Sequence, residues 1–385
     1  MMAYALLTGI STPLISDSDY FKQLAQSVSE TGEYKVAGSH WPDDPSARRL
    51  PAWPIVSACA LSVSPFNDDA TIRCLAAIIC ATSAMLLFLV GSQLAGSVTG
   101  CLASTLYVFH PATLHYTQQG LSEGLFILLA FAGTFLWLKG NRYSSAALWG
   151  LSVLVRANFL SFLPFFAILC WSANGRCKPD RTAMTRAAVL AAIFCVPVLL
   201  WAARNTVVTG KVGVISTLKG QTLYGGNNDV VLSDGDLEGY WISPDKIPNE
   251  IPMKVLAENL NELQVDEYYT KKGWAFIINH LNEMPGFCIA KATRAFVPTG
   301  GDKGSARLVL DVYRALVLVA GVCGLIVGWV QLSDYRSIVL SVLLTTLLTV
   351  CLFWGSIRFA YIWETFLIEF AAFFICTLFA ENQRS

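Results

Sequence analysis

The sequence predicts an all-α polytopic membrane protein with about ten membrane helices and a small mixed region outside the bilayer. Two features of the composition support this fold class, since 54% of the 385 residues are hydrophobic and only 14% are charged. A soluble domain carries about 25% charged residues, so this excess of apolar surface requires lipid to cover it. The third observation is a series of long apolar runs, because a spanning helix needs about 20 apolar residues.

Apolar runs recur along most of the chain. Ten of them lie at about 3–15, 71–94, 97–113, 120–138, 144–156, 157–172, 185–203, 308–331, 337–355 and 359–380, and a short apolar piece lies at 51–66. The segment 144–172 is predicted to cross the bilayer twice, as two short helices that meet near Arg156. The first run is short for a span. Either it is tilted in a thin part of the bilayer or the chain begins upstream, and the second hypothesis is favoured.

Basic residues in the short connectors predict the orientation of the chain. Ten spans place these residues on one face, which is then cytoplasmic: Lys139, Arg142, Arg176, Lys178, Arg181, Arg186, Arg336 and Arg384. The polar stretch 16–49 and the block 204–307 fall on the opposite face, periplasmic or lumenal. The expected organisation is an N-terminal membrane module, 1–203, whose first outer loop is 16–70, then an extracytoplasmic region, 204–307, and C-terminal membrane helices, 308–385.

The extracytoplasmic region divides into two parts by its residue pattern. Glycines among polar residues predict that it begins as loop or short strands. From Ile251 to Val297, apolar residues at three- and four-residue steps predict two or three amphipathic helices. This combination is the reason for expecting a mixed region.

Charge, cysteines and absent motifs exclude several classes of function. The chain has 27 basic and 27 acidic residues, so no overall field attracts nucleic acid. No P-loop, Gly-x-Ser-x-Gly elbow or His-Glu-x-x-His motif occurs, which disfavours ATP-driven transport and zinc hydrolysis. Most of the 11 cysteines lie in apolar runs and are predicted to pack as small hydrophobic residues. Cys288, in the polar block, has no obvious disulfide partner in the sequence.

Two carboxylates follow the first apolar run, in the sequence Ser16 to Tyr20. Asp17 and Asp19 could serve as a general base or as ligands of a divalent metal ion. The simpler interpretation is a helix cap, because acids in the first turn stabilise a helix. One aspartate is able to fill both roles, so both interpretations stay open.

Arginines near predicted helix ends form a second set of candidates. The pair Arg48 and Arg49 precedes a helix started by Pro51, and it suits phosphate binding as well as it suits interfacial anchoring. Arg156 lies between two apolar runs, where a charge is costly unless it is paired or near the interface. Glu123 begins an apolar helix and is its natural partner, although helix capping also explains Glu123.

Two further segments complete the candidate set. Arg204 and Asn205 end a predicted span, and a Gly-Gly-Asn-Asn turn that includes Asn227 follows. Glycine and asparagine permit close backbone approach to a ligand, although turn formation alone explains them. Arg358 stands by itself between the last two spans. Several separated arginines thus converge on one membrane face, as a phosphate or pyrophosphate at the interface requires.

The chain resembles the GT-C fold of membrane glycosyltransferases, in particular the bacterial aminoarabinose transferases and protein O-mannosyltransferases. The resemblance rests on elements in a fixed order: Asp17, Leu24-Ala25, Gly32-Glu33-Tyr34, Arg49-x-Pro51-x-x-Pro54, Pro111, Ser122-Glu123, Arg156, Arg204-Asn205, Gly225 to Asn228 and Arg358-Phe359. It departs from the family where Leu50 to Pro54 replace a Pro-Pro-Gly-Tyr-Pro-like element and where Phe-Ala-Tyr follows Arg358.

This resemblance implies a periplasmic active site in the cytoplasmic membrane and a role for each candidate. A polyprenyl-phosphate sugar is the donor, and a glycan, lipid or protein is the acceptor. Asp17 acts as the catalytic base, with Asp19 as the second candidate, and either could hold a divalent metal ion. The donor phosphate is bound by Arg49, Arg156, Arg204 and Arg358. The residues Glu123, Asn205 and Asn227 position the substrate.

Two other functions remain compatible with the sequence. A transporter or flippase would also use charged residues such as Glu123 and Arg156 within its membrane segments. Against it, no inverted repeat is visible and the two largest polar blocks fall on one face. A non-catalytic lipid-binding membrane protein of the same fold is the third hypothesis, because a fold alone does not establish activity.

Overall fold

The computed structural model describes residues 14, 16–36, 39–42, 44–173, 181–297 and 305–382, and helices make up most of these ranges. The first predicted span, 3–15, lies almost wholly outside the described residues. The helices of the first half are α1 (Asp17–Thr31), α2 (Ala52–Leu61), α3 (Asp68–Ala95), α4 (Ser97–Phe109), α5 (Pro111–Gln118), α6 (Glu123–Leu138), α7 (Arg142–Val153) and α8 (Phe162–Ala173).

The second half of the chain continues this helical pattern. Its helices are α9 (Arg181–Thr209), α10 (Lys219–Gly225), α11 (Asp229–Ser233), α12 (Met253–Ala257), α13 (Glu262–Asn279), α14 (Met284–Phe296), α15 (Ser305–Val327), α16 (Ser333–Leu352) and α17 (Ile357–Asn382). Short 3₁₀ helices cover Ala157–Ser161 and Pro244–Lys246. No β-strand occurs in the part of the chain that the structure describes.

Five of the described helices are long and apolar enough to cross a membrane. They are Asp68–Ala95, Met184–Thr209, Leu308–Val327, Ser333–Leu352 and Ile357–Ala380. Shorter apolar helices cover Ala52–Leu61, Ser97–Phe109, Glu123–Leu138 and Ala157–Ile168. A helix rises about 1.5 Å per residue, so the longest of these helices exceeds the hydrocarbon thickness of about 30 Å. The prediction of a polytopic membrane protein is confirmed, and the total of ten spans stays a prediction.

The last helix, α17, is the centre of the core. It packs against α15, α16 and α4, and its side chains from Phe366 to Ile368 are fully buried. A Cβ added at Gly324 of α15 would lie 1.9 Å from the carbonyl oxygen of Phe370, so the two helices touch backbone to backbone. Such close packing requires glycine at the contact. Helix α17 is therefore held closely against its neighbours in the bundle.

The segment 144–172 is broken where the sequence predicts it. Helix α7 ends at Val153, and Arg156 follows with extended backbone, φ −142° and ψ 106°. The 3₁₀ helix and α8 come next. The predicted meeting of two short helices near Arg156 is confirmed. The Ala52 amide donates to the Leu154 carbonyl at 3.2 Å, so the start of α2 lies beside this break.

The region 204–307 differs from its prediction as a mixed region. Its first residues continue α9 to Thr209, and the glycine-rich part forms the short helices α10 and α11 where strands or loops were expected. A Cβ at Gly220 would lie 2.0 Å from the Asp266 carbonyl oxygen, so this glycine permits packing of α10 on α13. The Asn228 side chain caps α11 by accepting from two backbone amides at 3.1 and 3.2 Å. The expected amphipathic helices are α13 and α14.

The two predicted outer segments contact each other. The Trp41 indole donates to the Leu260 carbonyl at 3.0 Å, and the Thr217 amide donates to the Ala47 carbonyl at 3.1 Å. The first polar loop therefore packs on the region 204–307, which agrees with their predicted location on one face. Arg49 at the end of this loop lies where the loop meets the membrane helices.

Candidate functional site

Five charged side chains from distant parts of the chain form one ion-pair network. In order of contact they are Arg49, Asp17, Arg358, Glu123 and Arg156. The Asp17 carboxylate binds Arg49 at 2.5 Å and Arg358 at 2.7 Å, one oxygen to each. Glu123 Oε1 binds Arg156 Nη2 at 2.6 Å and also accepts from Arg358 Nε. Three guanidiniums face two carboxylates, so the network has an excess of one positive charge.

The first turn of α1 and the end of the polar stretch 16–49 hold the outer part of this network. Asp17 is the first residue of α1, where the helix dipole also favours a negative charge. The Arg49 guanidinium lies over the rings of Tyr20 and Phe21, 5.2 and 5.4 Å from their centroids. The Tyr34 hydroxyl donates to the Leu50 carbonyl at 3.0 Å and fixes the backbone beside Arg49.

The membrane helices hold the inner part. Glu123 begins α6 and has no exposed surface, and Arg156 retains only 9% exposure at the break after α7. A buried charge of this kind persists only when an opposite charge and hydrogen bonds compensate it. Arg358 lies in the first turn of α17, where the helix dipole disfavours a cation. The carboxylates of Asp17 and Glu123 offset that cost.

The network keeps Asp17 ionised. Burial raises the pKa of this carboxyl group, but the charges of Arg49 and Arg358 and their hydrogen bonds together lower it by more than burial raises it. The pKa of Asp17 therefore lies well below its usual range. An aspartate whose two oxygens are each held by arginine is a weak base, because its proton affinity is low.

Several polar atoms of the network have no protein partner in the described ranges. Arg49 Nε and Arg156 Nε are buried donors without an acceptor, and Glu123 Oε2 is a buried acceptor without a donor. A buried polar atom without a partner costs about 1–3 kcal/mol. Two such donors beside an excess positive charge form a suitable environment for a phosphate group.

Arg204 and Asn205, two other predicted site residues, lie outside this network. Arg204 Nη1 donates to the Ser46 carbonyl at 2.6 Å, and its guanidinium lies over Trp201, 4.9 Å from the ring centroid. The buried Asn205 amide donates to the carbonyls of Val214 and Ile215, both at 3.1 Å. These two residues connect the end of α9 to both outer segments.

Asn227 is also occupied by protein contacts. Its amide nitrogen donates to the carbonyls of Leu223 and Leu352 at 2.8 and 2.9 Å, and its oxygen accepts from Lys291 Nζ at 2.8 Å. The side chain is fully buried. In this arrangement Asn227 connects α10 and α14 to the end of α16, and a role in positioning substrate stays a prediction.

Asp19 points away from Asp17. Residues two apart on a helix project about 200° from one another, so their carboxylates do not converge. Asp19 instead accepts from Gln23 at 2.7 Å and pairs with Lys22 at 3.2 Å. Among the described side chains, no group of three or more His, Cys, Asp or Glu residues is arranged to hold a metal ion. Binding of a divalent metal ion by Asp17 or Asp19 stays a prediction.

Glu262 is an important residue that the sequence did not reveal. Its carboxylate accepts hydrogen bonds from Ser46 Oγ and the Ala47 amide, both at 2.9 Å, and from the Thr217 hydroxyl. It therefore anchors the first outer loop two and three residues before Arg49. A glutamate in the first turn of a polar helix gives no sequence signal of this role.

A second buried ion pair lies within the membrane helices. Arg314 and Glu364 are fully buried and joined by hydrogen bonds of 2.5, 3.0 and 3.1 Å, with His110 Nε2 3.6 Å from Glu364. A charge inside an apolar run is costly unless it is paired, so the charges within 308–331 and 359–380 could have predicted this pair. It connects α15 to α17 and so supports the helix that carries Arg358.

The fold is the GT-C fold of membrane glycosyltransferases, which confirms the resemblance seen in the sequence. The archaeal oligosaccharyltransferase AglB from Archaeoglobus fulgidus, in complex with an inhibitory peptide and a dolichol-phosphate, superposes with a TM-score of 0.57 and 13% identity, over 99% of this chain and 50% of that one. The apo form of the Archaeoglobus fulgidus oligosaccharyltransferase gives a TM-score of 0.59 and 12% identity, over 99% of this chain and 50% of that one.

Sequence comparison gives a short match only. No family model matches the chain. A stretch of 62 residues is 36% identical to GPI mannosyltransferase 2 of Schizosaccharomyces pombe, which is 16% of this chain and 13% of that protein. The chain spans about half the length of the oligosaccharyltransferase structures that it matches. These comparisons therefore establish the fold.

Proposed function

We propose that the protein is an integral-membrane glycosyltransferase that moves a sugar from a polyprenyl-phosphate donor to an extracytoplasmic glycan, lipid or protein acceptor. The observation that carries this proposal is the convergence of Asp17, Arg49, Arg156 and Arg358 at one site. The AglB structure that shares the fold contains a dolichol-phosphate, which supports a lipid phosphate as the ligand. We propose, from the basic residues in the connectors, that this site faces the extracytoplasmic side of the cytoplasmic membrane.

In the proposed reaction, the acceptor hydroxyl attacks the anomeric carbon of the donor sugar. The bond between that carbon and the phosphate oxygen breaks, and its electron pair stays on the departing polyprenyl phosphate. Asp17 takes the proton of the hydroxyl, and the configuration at the anomeric carbon inverts. Arginine donors that face the phosphate stabilise the charge that develops on it. No metal ion enters this scheme.

The low proton affinity of Asp17 makes the reaction depend on donor binding. A donor phosphate attracts the same guanidiniums that hold Asp17, so Arg358 and Arg49 would shift part of their hydrogen bonding to the phosphate. The Asp17 pKa then rises toward its usual range and the carboxylate becomes a better base. The base is thus activated only when the donor is present, which limits its reaction with other molecules.

Sugar transfer in isolated membranes tests this proposal. Radiolabelled polyprenyl-phosphate sugars are supplied with an acceptor fraction, and wild type is compared with Asp17→Asn at equal expression. A general base contributes about 10²–10⁴-fold to the rate, so the variant should lose at least a hundredfold. Asp19→Asn is the matched control, because Asp19 points away from the network, and it should keep transfer.

Two results would contradict the proposal. Equal transfer by wild type and Asp17→Asn would remove Asp17 from the reaction. No transfer by wild type across a broad panel of donors would instead favour the transporter or lipid-binding hypothesis. Binding of polyprenyl phosphate by wild type, compared with Arg358→Gln, would then show whether the arginines still recognise the lipid phosphate.

A further inference from the structure

Two cysteines that are far apart in the sequence meet beside the turn that carries Arg358. Cys288 lies in α14, and Cys351 lies in the last turn of α16. The Cys288 thiol donates to the Cys351 carbonyl oxygen at 3.8 Å, so it lies against the backbone of Cys351. Both side chains are half-buried, so a small reagent can reach them. The sequence offered no partner for Cys288, and the structure supplies one.

The backbones around this pair are tightly packed. A Cβ at Gly355 would lie 2.2 Å from the Lys291 carbonyl oxygen, so the turn between α16 and α17 rests directly on α14. Lys291 Nζ also donates to the Cys351 carbonyl at 3.3 Å. The segments that carry the two cysteines are therefore held against each other.

Lys291 is the charged neighbour of this cysteine pair. Its ammonium group is buried beside both cysteines, and burial lowers the pKa of Lys291 to about 8. The ammonium form therefore still predominates at neutral pH. Burial disfavours the thiolate, which is the form of cysteine that attacks a disulfide, and the Lys291 charge opposes that effect.

We propose that Cys288 and Cys351 form an oxidation site that closes to a disulfide and joins α14 to α16 beside the Arg358 turn. With a small-molecule disulfide as oxidant, one thiolate attacks a sulfur of the oxidant and releases one thiolate. The second cysteine thiolate then attacks the mixed disulfide and releases another. Two protons leave the protein thiols, and the oxidant is reduced to two thiols. The site does not depend on the proposed glycosyltransferase activity.

Thiol counting on the full-length protein tests the site. The purified protein is incubated with oxidised glutathione, denatured and treated with a maleimide-polyethylene glycol that adds mass to each free thiol. Wild type should lose two reactive thiols, and peptide mapping should give one cross-linked pair that contains Cys288 and Cys351. Cys288→Ser and Cys351→Ser should each give no cross-link. Cys101→Ser, at an exposed position on α4, should still lose two.

Peptide mapping of the oxidised wild type tests the proposed disulfide even if a cysteine variant fails to accumulate. Cysteines that stay free, or that each carry a glutathione without a cross-link between them, would overturn the proposal. A cross-link that persists in Cys288→Ser would assign it to other cysteines and would overturn it equally. Because the readout is the state of the thiols, its failure is distinguishable from a failure of sugar transfer.

Discussion

Glu123→Gln tests whether the ion-pair network stabilises the folded protein. The carboxylate of Glu123 is fully buried between Arg156, at 2.6 Å, and Arg358. Removal of one partner of a buried ion pair costs about 3–5 kcal/mol, because the remaining charges lose their compensation. Glutamine keeps one acceptor oxygen, so we expect the lower end of this range, about 3 kcal/mol of unfolding free energy.

The assay is unfolding of the purified protein in detergent, followed by circular dichroism. Glu267→Gln is the matched control, because Glu267 pairs with Lys211 on the surface and both side chains are more than a third exposed. An exposed pair contributes under about 1 kcal/mol. In the double variant Glu123→Gln/Arg156→Gln, the loss should be smaller than the sum of the two single losses by about 1–3 kcal/mol. Equal stability of Glu123→Gln and Glu267→Gln would refute the reasoning.

Three further predictions concern other parts of the site. The Asp17 pKa is depressed in the folded state, so its ion pairs stabilise the protein fully above about pH 4 and are lost as the pH falls further. The difference in unfolding free energy between wild type and Asp17→Asn should therefore be constant from pH 8 to about pH 4 and become smaller below it. A difference that disappears near pH 6 would contradict this. Gly226→Ala places a Cβ 2.2 Å from a carbonyl oxygen of the α16–α17 turn, so thermal unfolding should show a loss of about 1–3 kcal/mol in the free energy of unfolding. The control Gly235→Ala, which has open space around the new Cβ, should leave the stability unchanged. Glu262→Gln weakens the anchor of the first outer loop, so the KM for the donor should rise about tenfold, equivalent to one charge-assisted hydrogen bond of about 1.5 kcal/mol. The control Glu258→Gln, at an exposed position, should leave the KM unchanged. An unchanged KM in Glu262→Gln would show that this anchor does not contribute to donor binding.

Much of the membrane part was predictable because lipid imposes a simple rule on sequence. A helix that meets lipid must be apolar along its length, so the runs of hydrophobic residues locate α3, α9 and the three C-terminal helices. The same rule makes a charge within such a run expensive, and for this reason Glu123 and Arg156 could be proposed as partners from the sequence. The structure confirms that pairing at 2.6 Å.

The polar region followed its sequence pattern less closely. Glycine usually indicates a turn, but at Gly220 it serves the close packing of two helices, and local sequence does not distinguish these uses. Arg204 matched the pattern of a phosphate ligand, which stays a prediction, but its Nη1 contact with the Ser46 carbonyl, 158 residues away, was not predictable. Contacts at such separations depend on the packing of the whole chain, which residue spacing does not encode.

The position of Arg358 has a consequence for how the protein is made. Its two carboxylate partners lie 341 and 235 residues earlier in the chain, at Asp17 and Glu123. Helix α17 therefore supplies the central member of the network after the other four members have been synthesised. Until then, the pairs Arg49–Asp17 and Arg156–Glu123 lack the side chain that connects them. The addition of Arg358 turns two separate ion pairs into one network.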